Sequence, residues 1–502
     1  MGVDIGTTCV KAVIYKLNGG VVTSSHREYF QENIKEGWLE LNPEEVWKSV
    51  REVIRDCNAK NIYSEIKALA FSTLGESVTP IGVKGEILYN TILAADNRSV
   101  NESNWIAEKM GNRYLKDITG QVCHPRTCAS KVLWLKHNLP EVFQKARWFL
   151  GWQGLVCLKL GFMPFTDYSS ASRTMMFDIS SKKWSQELLS VIGVVKNNLA
   201  MPRPAGTVIG DIPKPICDEL GFKSEVKLIL GGFDQTCTSL GAGIISTNKS
   251  SLGLGTVACL SVIYNHNTCW KINKSTMNYP VIPYACKDMY MTTASTLGGR
   301  LLGWFRDNFS KWECQQAEET GENVYNLILK DITFCPTKLF FLPYFTGSGT
   351  AWADPLARGS LIGLTIQNTR QDVIKAILEG VIYEIKLNLY HLQNFGLEIE
   401  NLRVSGGGAR SKIWLQLVAD ITGLKVSTLN TEESGCLGAA ILAGVGVGIY
   451  ESIPKAIEII VKEKDSFVPD RIRNKLYQER FEIYYKIYSA LKELYERMAI
   501  LS

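Results

Sequence analysis

The sequence predicts an α/β protein of two domains, and three observations predict it. Strand-like and helix-like patterns alternate from the start, as β-hairpin, helix and strand over residues 10–72. A second α/β pattern opens near residue 251. A strand running into a Gly/Thr turn occurs in both halves, at Gly6–Thr8 and Gly253–Thr256, with an all-glycine version at Gly406–Gly408. The 502 residues suit more than one domain at roughly 150 residues each. Gly, Ser, Thr and Asn cluster over 241–250, so the expected division is 1–243 and 244–502.

The elements follow in order. Residues 10–15 and 21–23 are β-rich and flank Asn18, Gly19 and Gly20, a hairpin turn signal. Asn42 is the expected N-cap of a helix, with Pro43 in its first turn and Glu44 and Glu45 at its positive end. Val46, Trp47, Val50 and Val53 give that helix one apolar face. Residues 66–72 read as a buried strand, 131–139 and 141–150 as helices, and 225–230 as a strand ending in Gly231-Gly232. Residues 251–262 read as strand, turn, strand. Residues 371–392 hold helical periodicity through Val373, Ile374, Ile377, Leu378 and Val381. A short strand at 402–404 leads into Gly406–Gly408, with a helix from near Ser411. Residues 471–498 form a charged amphipathic helix or pair of helices, read as a packing element or a homodimer contact.

Composition excludes several classes. With 46% hydrophobic and 21% charged residues, the chain is neither disordered nor fibrous. Fifty-five Lys+Arg against 50 Asp+Glu leave +5, too mild over this length to argue for nucleic acid or an anionic membrane. The 13 cysteines contain no C-x-x-C, and only five histidines accompany them, which reads as free thiols in a reducing compartment. Met1 leads straight into a strand pattern, so no signal peptide is expected. The Gly- and Ala-rich stretch 437–450 is shorter than the ~20 apolar residues a bilayer span needs. A soluble cytoplasmic protein is expected.

Four motifs carry chemistry. In Asp4-Ile5-Gly6-Thr7-Thr8, Gly6 lets the backbone turn close to a ligand, and the N–H groups and hydroxyls of Thr7 and Thr8 can cradle phosphate. Asp4 suits a hydrated Mg²⁺, and Lys11 adds a positive charge. Gly253-Leu254-Gly255-Thr256 repeats the Gly/Thr turn, and two such turns across a cleft can grip a triphosphate. In Gly231-Gly232-Phe233-Asp234-Gln235 the glycines keep a cleft wall bare, and Asp234 can accept a proton from an attacking hydroxyl or serve as a loop residue. Ser405 to Ser411, with three successive glycines, offers a flat backbone surface for an adenine ring.

These motifs in this order resemble the FGGY carbohydrate kinases of the actin-like ATPase superfamily, from Gly2 to about Tyr450. The resemblance also rests on Trp414, Gln416 and Asp420, on Asp167-Tyr168-Ser169-Ser170-Ala171-Ser172, and on Gly359–Leu364 followed by Asp372–Glu379. It implies two actin-like (ribonuclease H-like) α/β domains around a cleft that holds ATP and Mg²⁺. By the resemblance, Asp234 is the general base. Asp4, with Asp234, holds Mg²⁺; Thr7, Thr8 and Thr256 contact the phosphates, with Lys11 on the phosphate side; Gly407, Ser411 and Gly299 line the adenosine pocket; and Gly6, Gly255 and Gly406 belong to the same nucleotide site. Phosphoryl transfer needs positioning and charge neutralisation more than covalent chemistry, which agrees.

The sugar is less legible. Many ketose and aldonate kinases carry Met-His after the third strand, and glycerol kinases Arg-Glu; this chain has Gly75-Glu76. The family's W-x-D-x-R reads Ala94-Ala95-Asp96-Asn97-Arg98, keeping the acid and the arginine. Arg126 stands where glycerol kinases place a tyrosine, and it is expected to pair a sugar-acid carboxylate, to pair Glu76, or to face solvent. Glu76, Asp96, Arg98, Arg126, Asp234 and Gln235 are the candidate sugar residues. A ketopentose such as xylulose ranks first, an aldonate such as gluconate second, a polyol or deoxyketose third. Relatives also carry a few residues before the first motif, so the opening strand is expected to be short or the true start to lie upstream. An actin-like chaperone ATPase would share the glycine turns without needing Asp234-Gln235, and a non-catalytic sugar sensor would not need Asp234.

Overall fold

Two mixed sheets organise the chain, which a computed structural model describes over residues 1–61 and 65–501. The first sheet runs in the order Val208–Asp211, Lys227–Phe233, Ala68–Thr73, Gly2–Ile5, Cys9–Tyr15, Val21–Glu28. Its three central strands are parallel, and their ends are in register: Ile5 lies opposite Thr73, and Thr73 opposite Phe233. The hairpin Cys9–Tyr15 and Val21–Glu28 is antiparallel and turns through Gly19 at φ 88°. The second sheet repeats the plan as Ile282–Pro283, Met289–Leu297, Val257–Asn265, Lys249–Leu254, Asn401–Ser405, Lys425–Leu429, Glu463–Phe467. Lys249–Leu254, Asn401–Ser405 and Lys425–Leu429 are its parallel core. Carboxyl ends of parallel strands are where open α/β sheets bind ligands, and both sheets send their glycine motifs there.

Two helices tie the sheets together. Asp234–Gly241 continues directly from the strand Lys227–Phe233. Ser434–Gly446, far along the chain, packs on that helix and on the first sheet. Backbones meet at these contacts. A Cβ on Gly2 would lie 1.9 Å from the Cys436 carbonyl oxygen, one on Gly241 1.9 Å from that of Ser434, and one on Gly438 1.9 Å from that of Cys237.

The helix starts follow their sequence signals. Asn42 Oδ1 accepts from the N–H groups of Glu44 (3.0 Å) and Glu45 (3.4 Å), capping Pro43–Lys60. Thr369 and Asp372 form a reciprocal capping box on Arg370–Gln393. Ser411 caps Lys412–Thr422. The terminal segment is one helix, Arg471–Leu501, whose Tyr477, Phe481, Tyr484, Tyr488 and Tyr495 are buried in the second domain's core.

Two expectations are corrected. The helix expected over 141–150 is Pro140–Lys145 only, because Trp148–Leu150 forms a strand against Thr79–Ile81. Gly231 and Gly232 lie inside the strand Lys227–Phe233 rather than after it; a Cβ on Gly231 would sit 1.8 Å from the Phe71 carbonyl oxygen, so the glycine permits a close approach of neighbouring strands. Among the described residues no helix is long and apolar enough to cross a membrane. All 13 cysteines are unbridged, and Cys335 alone is exposed.

Candidate active site

Three parallel strands of the first sheet end side by side, and each carries an acid at or just past its end. Asp4 sits one residue before the end of Gly2–Ile5, Glu76 three residues beyond Ala68–Thr73, and Asp234 immediately after Lys227–Phe233. Asp4 Oδ1 accepts from the Ser72 hydroxyl at 2.5 Å. Burial raises its pKa, against that bond and the charge of Lys11. Asp234 opens a helix, and its Oδ1 is buried with no hydrogen-bond partner. Its pKa rises to about 8, first through burial and then through the charges of Asp4 and Glu76, opposed by the Gln235 N–H and by Arg173.

Glu76 is buried and adopts a left-handed φ of 48°, uncommon for a residue with a side chain. Burial pushes its carboxyl up, but the charges of Arg173, Arg126 and Lys131 outweigh that and hold it below the usual carboxylate range. Its ion-pair partner is Arg173. The expected alternative of a direct Arg126–Glu76 pair is therefore corrected: Arg126 is exposed and its main chain carries its hydrogen bonds, the N–H donating to His124 Nδ1 at 3.1 Å and the carbonyl accepting from Lys131 Nζ at 2.8 Å. Gln235 is partly exposed beside Asp234.

Asp96 and Arg98 are placed differently from the expectation that they face a sugar. Their side chains are fully buried and pair with each other at 2.8 Å, and Arg98 also pairs with Glu40 at 2.7 Å. Asp96 Oδ2 accepts from the Leu39 N–H at 2.6 Å, and the guanidinium lies over the rings of Trp38 and Trp134. With donors and acceptors spent inside the domain, this pair holds its loop together and offers nothing to a ligand. A buried, fully bonded pair of this kind serves geometry more than net stability.

The glycine turns stand at strand ends of both sheets. Thr7 and Thr8 are exposed at the tip between two strands, where the Gly6 N–H donates to the Cys9 carbonyl at 2.9 Å. Thr256 is exposed at the matching tip in the second sheet. The Gly299 N–H donates to the Gly255 carbonyl at 2.8 Å, which joins the two glycines in one bend. Gly406 has φ 87° and lies against the Leu254 carbonyl oxygen, whereas a Cβ on Gly407 would meet nothing within 4 Å. A cavity of about 470 Å³ is lined by Lys11 from the first sheet and by Gly406, Gly407, Arg410, Asn430 and Glu433 from the second half. Lys11 reaches Glu433 at 2.9 Å across it. Ser411 spends its hydroxyl as a helix cap, accepting from the Trp414 N–H at 3.3 Å.

Magnesium fits the acid pair. Among the described residues no group of three or more His, Cys, Asp or Glu is placed to hold a metal on protein ligands alone. Mg²⁺ commonly needs only one or two carboxylates, with water and phosphate oxygens completing the shell. The unpartnered Asp234 Oδ1 and the neighbouring Asp4 charge match that requirement.

Sequence reasoning missed three residues. Arg173 follows directly on the Asp167–Ser172 string and was the signal available. Asp167 caps the short helix Tyr168–Ser172, and the Ser169 hydroxyl accepts from the Phe233 N–H at 3.1 Å, so the string braces the residue before Asp234 and delivers Arg173 to Glu76. Lys131 is fully buried in the helix Cys128–Asn138, and its Nζ donates to the Glu76 carbonyl at 2.6 Å. Glu433 had no sequence signal.

Comparison with known proteins agrees with this geometry over nearly the whole chain. The family model for the N-terminal domain of the FGGY family of carbohydrate kinases matches residues 1–241, and that for its C-terminal domain residues 252–447. The chain is 28% identical to the xylulose kinase of Bacillus subtilis over 498 residues, covering 98% of this chain and 97% of that one. It is 27% identical to the gluconokinase of the same organism over 505 residues, covering 99% and 97%. Among solved structures, the ligand-bound xylulose kinase from Lactobacillus acidophilus superposes with a TM-score of 0.89 at 26% identity, with 99% of each chain covered.

Proposed function

The chain belongs to the FGGY family of carbohydrate kinases and is a phosphotransferase that uses ATP, and we propose that its acceptor is a hydroxyl of a small ketopentose such as xylulose. What carries this reading is the placement of Asp234. It stands at the carboxyl edge of a parallel sheet, with one carboxylate oxygen buried and unpartnered and its pKa raised to about 8. A base so tuned accepts a proton from an attacking hydroxyl near neutral pH. Glu76, Gln235 and Arg126 orient the sugar beside it. Asp4 and Asp234 hold Mg²⁺, which supplies neutralisation of phosphate charge. Gly6, Thr7, Thr8, Lys11 and Thr256 hold the phosphates, and Gly255, Gly299, Gly406, Gly407 and the Ser411 segment lie against the adenosine. The division at 243/244 belongs to the same reading. It is supported by the origin of the strands, the first sheet drawing on residues 2–233 and the second on 249–467. Thirteen unbridged cysteines support a cytoplasmic site of action.

An aldonate such as gluconate is the second reading. One observation favours it: Arg126 is an exposed cation within electrostatic reach of Glu76, and a substrate carboxylate would pair with such a charge.

The test is ADP release with Mg·ATP across xylulose, ribulose, fuculose, rhamnulose, gluconate, glycerol and erythritol, with Asp234→Ala alongside. Xylulose is expected to give the strongest turnover, lost by on the order of a hundredfold or more in the variant. Stronger turnover with gluconate would move the assignment to the second reading. ATP turnover indifferent to every sugar would overturn both.

A further inference from the structure

Arg173 is an expensive residue to keep where it is. It is 5% exposed, and of its guanidinium nitrogens Nη2 alone has an acceptor, the Glu76 carboxylate. Nε and Nη1 are buried without partners. A buried donor left unpaired is costly, so two on one side chain argue against a role in stability alone. The residue it grips is itself held in an unfavourable conformation, Glu76 at φ 48°, with its carbonyl fastened by Lys131 Nζ at 2.6 Å. Strain of that kind persists only where the surroundings over-determine it, and it collects at ligand sites. The guanidinium also lies over the Phe233 ring, 5.6 Å from its centroid, and Phe233 is the residue before Asp234. One side chain thus touches both walls between which the sugar is proposed to sit.

We propose that Arg173 is a positioning residue for sugar binding, acting through Glu76: its Nη2 bond fixes the Glu76 carboxylate toward the cleft, where it accepts hydrogen bonds from sugar hydroxyls. The proposal rests on the kinase reading above. A planar guanidinium suits the task better than an ammonium, because its fork fixes direction as well as charge.

The test is a double-mutant cycle on Mg·ATP-dependent phosphorylation of D-xylulose and D-gluconate, with Glu76→Gln, Arg173→Met and the double variant. Arg173→Met leaves a buried carboxylate unpaired and is the variant most at risk of misfolding; Arg173→Lys and the double variant, which remove that fault, carry the comparison if it fails to fold. Each single substitution is expected to raise the sugar KM about tenfold or more while the KM for ATP stays within about threefold. The double variant is expected to be no worse than the poorer single one, the non-additivity of two groups acting as one. Arg173→Lys is expected to fall between wild type and Arg173→Met. An unchanged sugar KM in Arg173→Met or Arg173→Lys, with wild type active, would overturn the positioning role alone. So would effects that multiply in the double variant. A wild type that phosphorylates no sugar would overturn the kinase reading, and this inference with it.

Discussion

Asp234 combines two features that pull in opposite directions. It opens a helix, where the backbone favours a negative charge, yet burial and the charges of Asp4 and Glu76 push its pKa to about 8. The second influence wins because both acids sit at the same sheet edge and water does not reach Oδ1. For a base that acts unprotonated, the sign is fixed: kcat/KM for the sugar should fall as pH drops through the pKa of Asp234, which Mg²⁺ held at Asp4 and Asp234 sets below the metal-free value of about 8. Glu76→Gln removes one negative neighbour and leaves the Arg173 charge in place, so the acid limb should move to lower pH. A limb that stays put or moves up would show that Glu76 does not act on Asp234. At this scale the sequence was partly legible. Asp4 and Asp234 are candidates from the sequence because glycines stand near them, although only Gly6 marks a turn, and Gly231 and Gly232 serve strand packing instead. Arg173, Lys131 and Glu433 are not, because each acts through a partner distant in the chain, 97 residues away for Arg173 and Glu76.

Elements were more legible than their partners. Caps and periodicity located Pro43–Lys60, Arg370–Gln393 and Lys412–Thr422 because both are local properties. The segment after Lys145 was misread because its strand exists only through pairing with Thr79–Ile81. Residues of the family signature also proved structural: Asp420 accepts from Arg473 Nε at 2.6 Å and from the Asp470 N–H at 2.8 Å, anchoring the start of the terminal helix. That helix carries a pH-dependent contact. Glu384 is fully buried on Arg370–Gln393, and its Oε1 accepts from the hydroxyls of Tyr344 (2.7 Å) and Tyr484 (2.8 Å). Burial raises its pKa to about 7, against the two tyrosines. A carboxyl raised from 4.5 to about 7 binds its proton better in the folded chain, so its contribution to stability is full below about 4.5 and is lost as pH rises through about 7. Glu384→Gln keeps an acceptor for the tyrosines and removes the titration. Relative to wild type, it should gain on the order of 2 kcal/mol between pH 5 and pH 8, read by denaturant unfolding at the two values. An equal difference at both would show that Glu384 titrates no differently in the folded chain.

On the scale of the whole molecule, catalysis by two half-sites requires that their separation be set to within an ångström or so. The contact that sets it is made of backbone. Helix Asp234–Gly241 starts with the proposed base, and helix Ser434–Gly446 follows directly on Glu433, which meets Lys11 in the cavity. Gly241 and Gly438 lie at their crossing, and a methyl group at Gly438 would stand 1.9 Å from the Cys237 carbonyl oxygen. No side chain there can swing aside, so Gly438→Ala must push one helix off the other. Overpacking of this kind costs about 1–3 kcal/mol or more, and at 2–4 °C per kcal/mol the Tm should fall by roughly 5 °C. Because Asp234 rides on the displaced helix, kcat should fall as well. Gly407→Ala is the informative counterpart. Its Cβ would meet nothing within 4 Å and its φ is not left-handed, so Tm should hold. If the glycine loop lies flat against adenosine, the same methyl group should raise the KM for ATP with kcat and the sugar KM little changed. A Gly438→Ala protein with wild-type Tm would mean that the helices do not cross backbone to backbone. A Gly407→Ala protein with wild-type KM for ATP would move the adenosine off that loop.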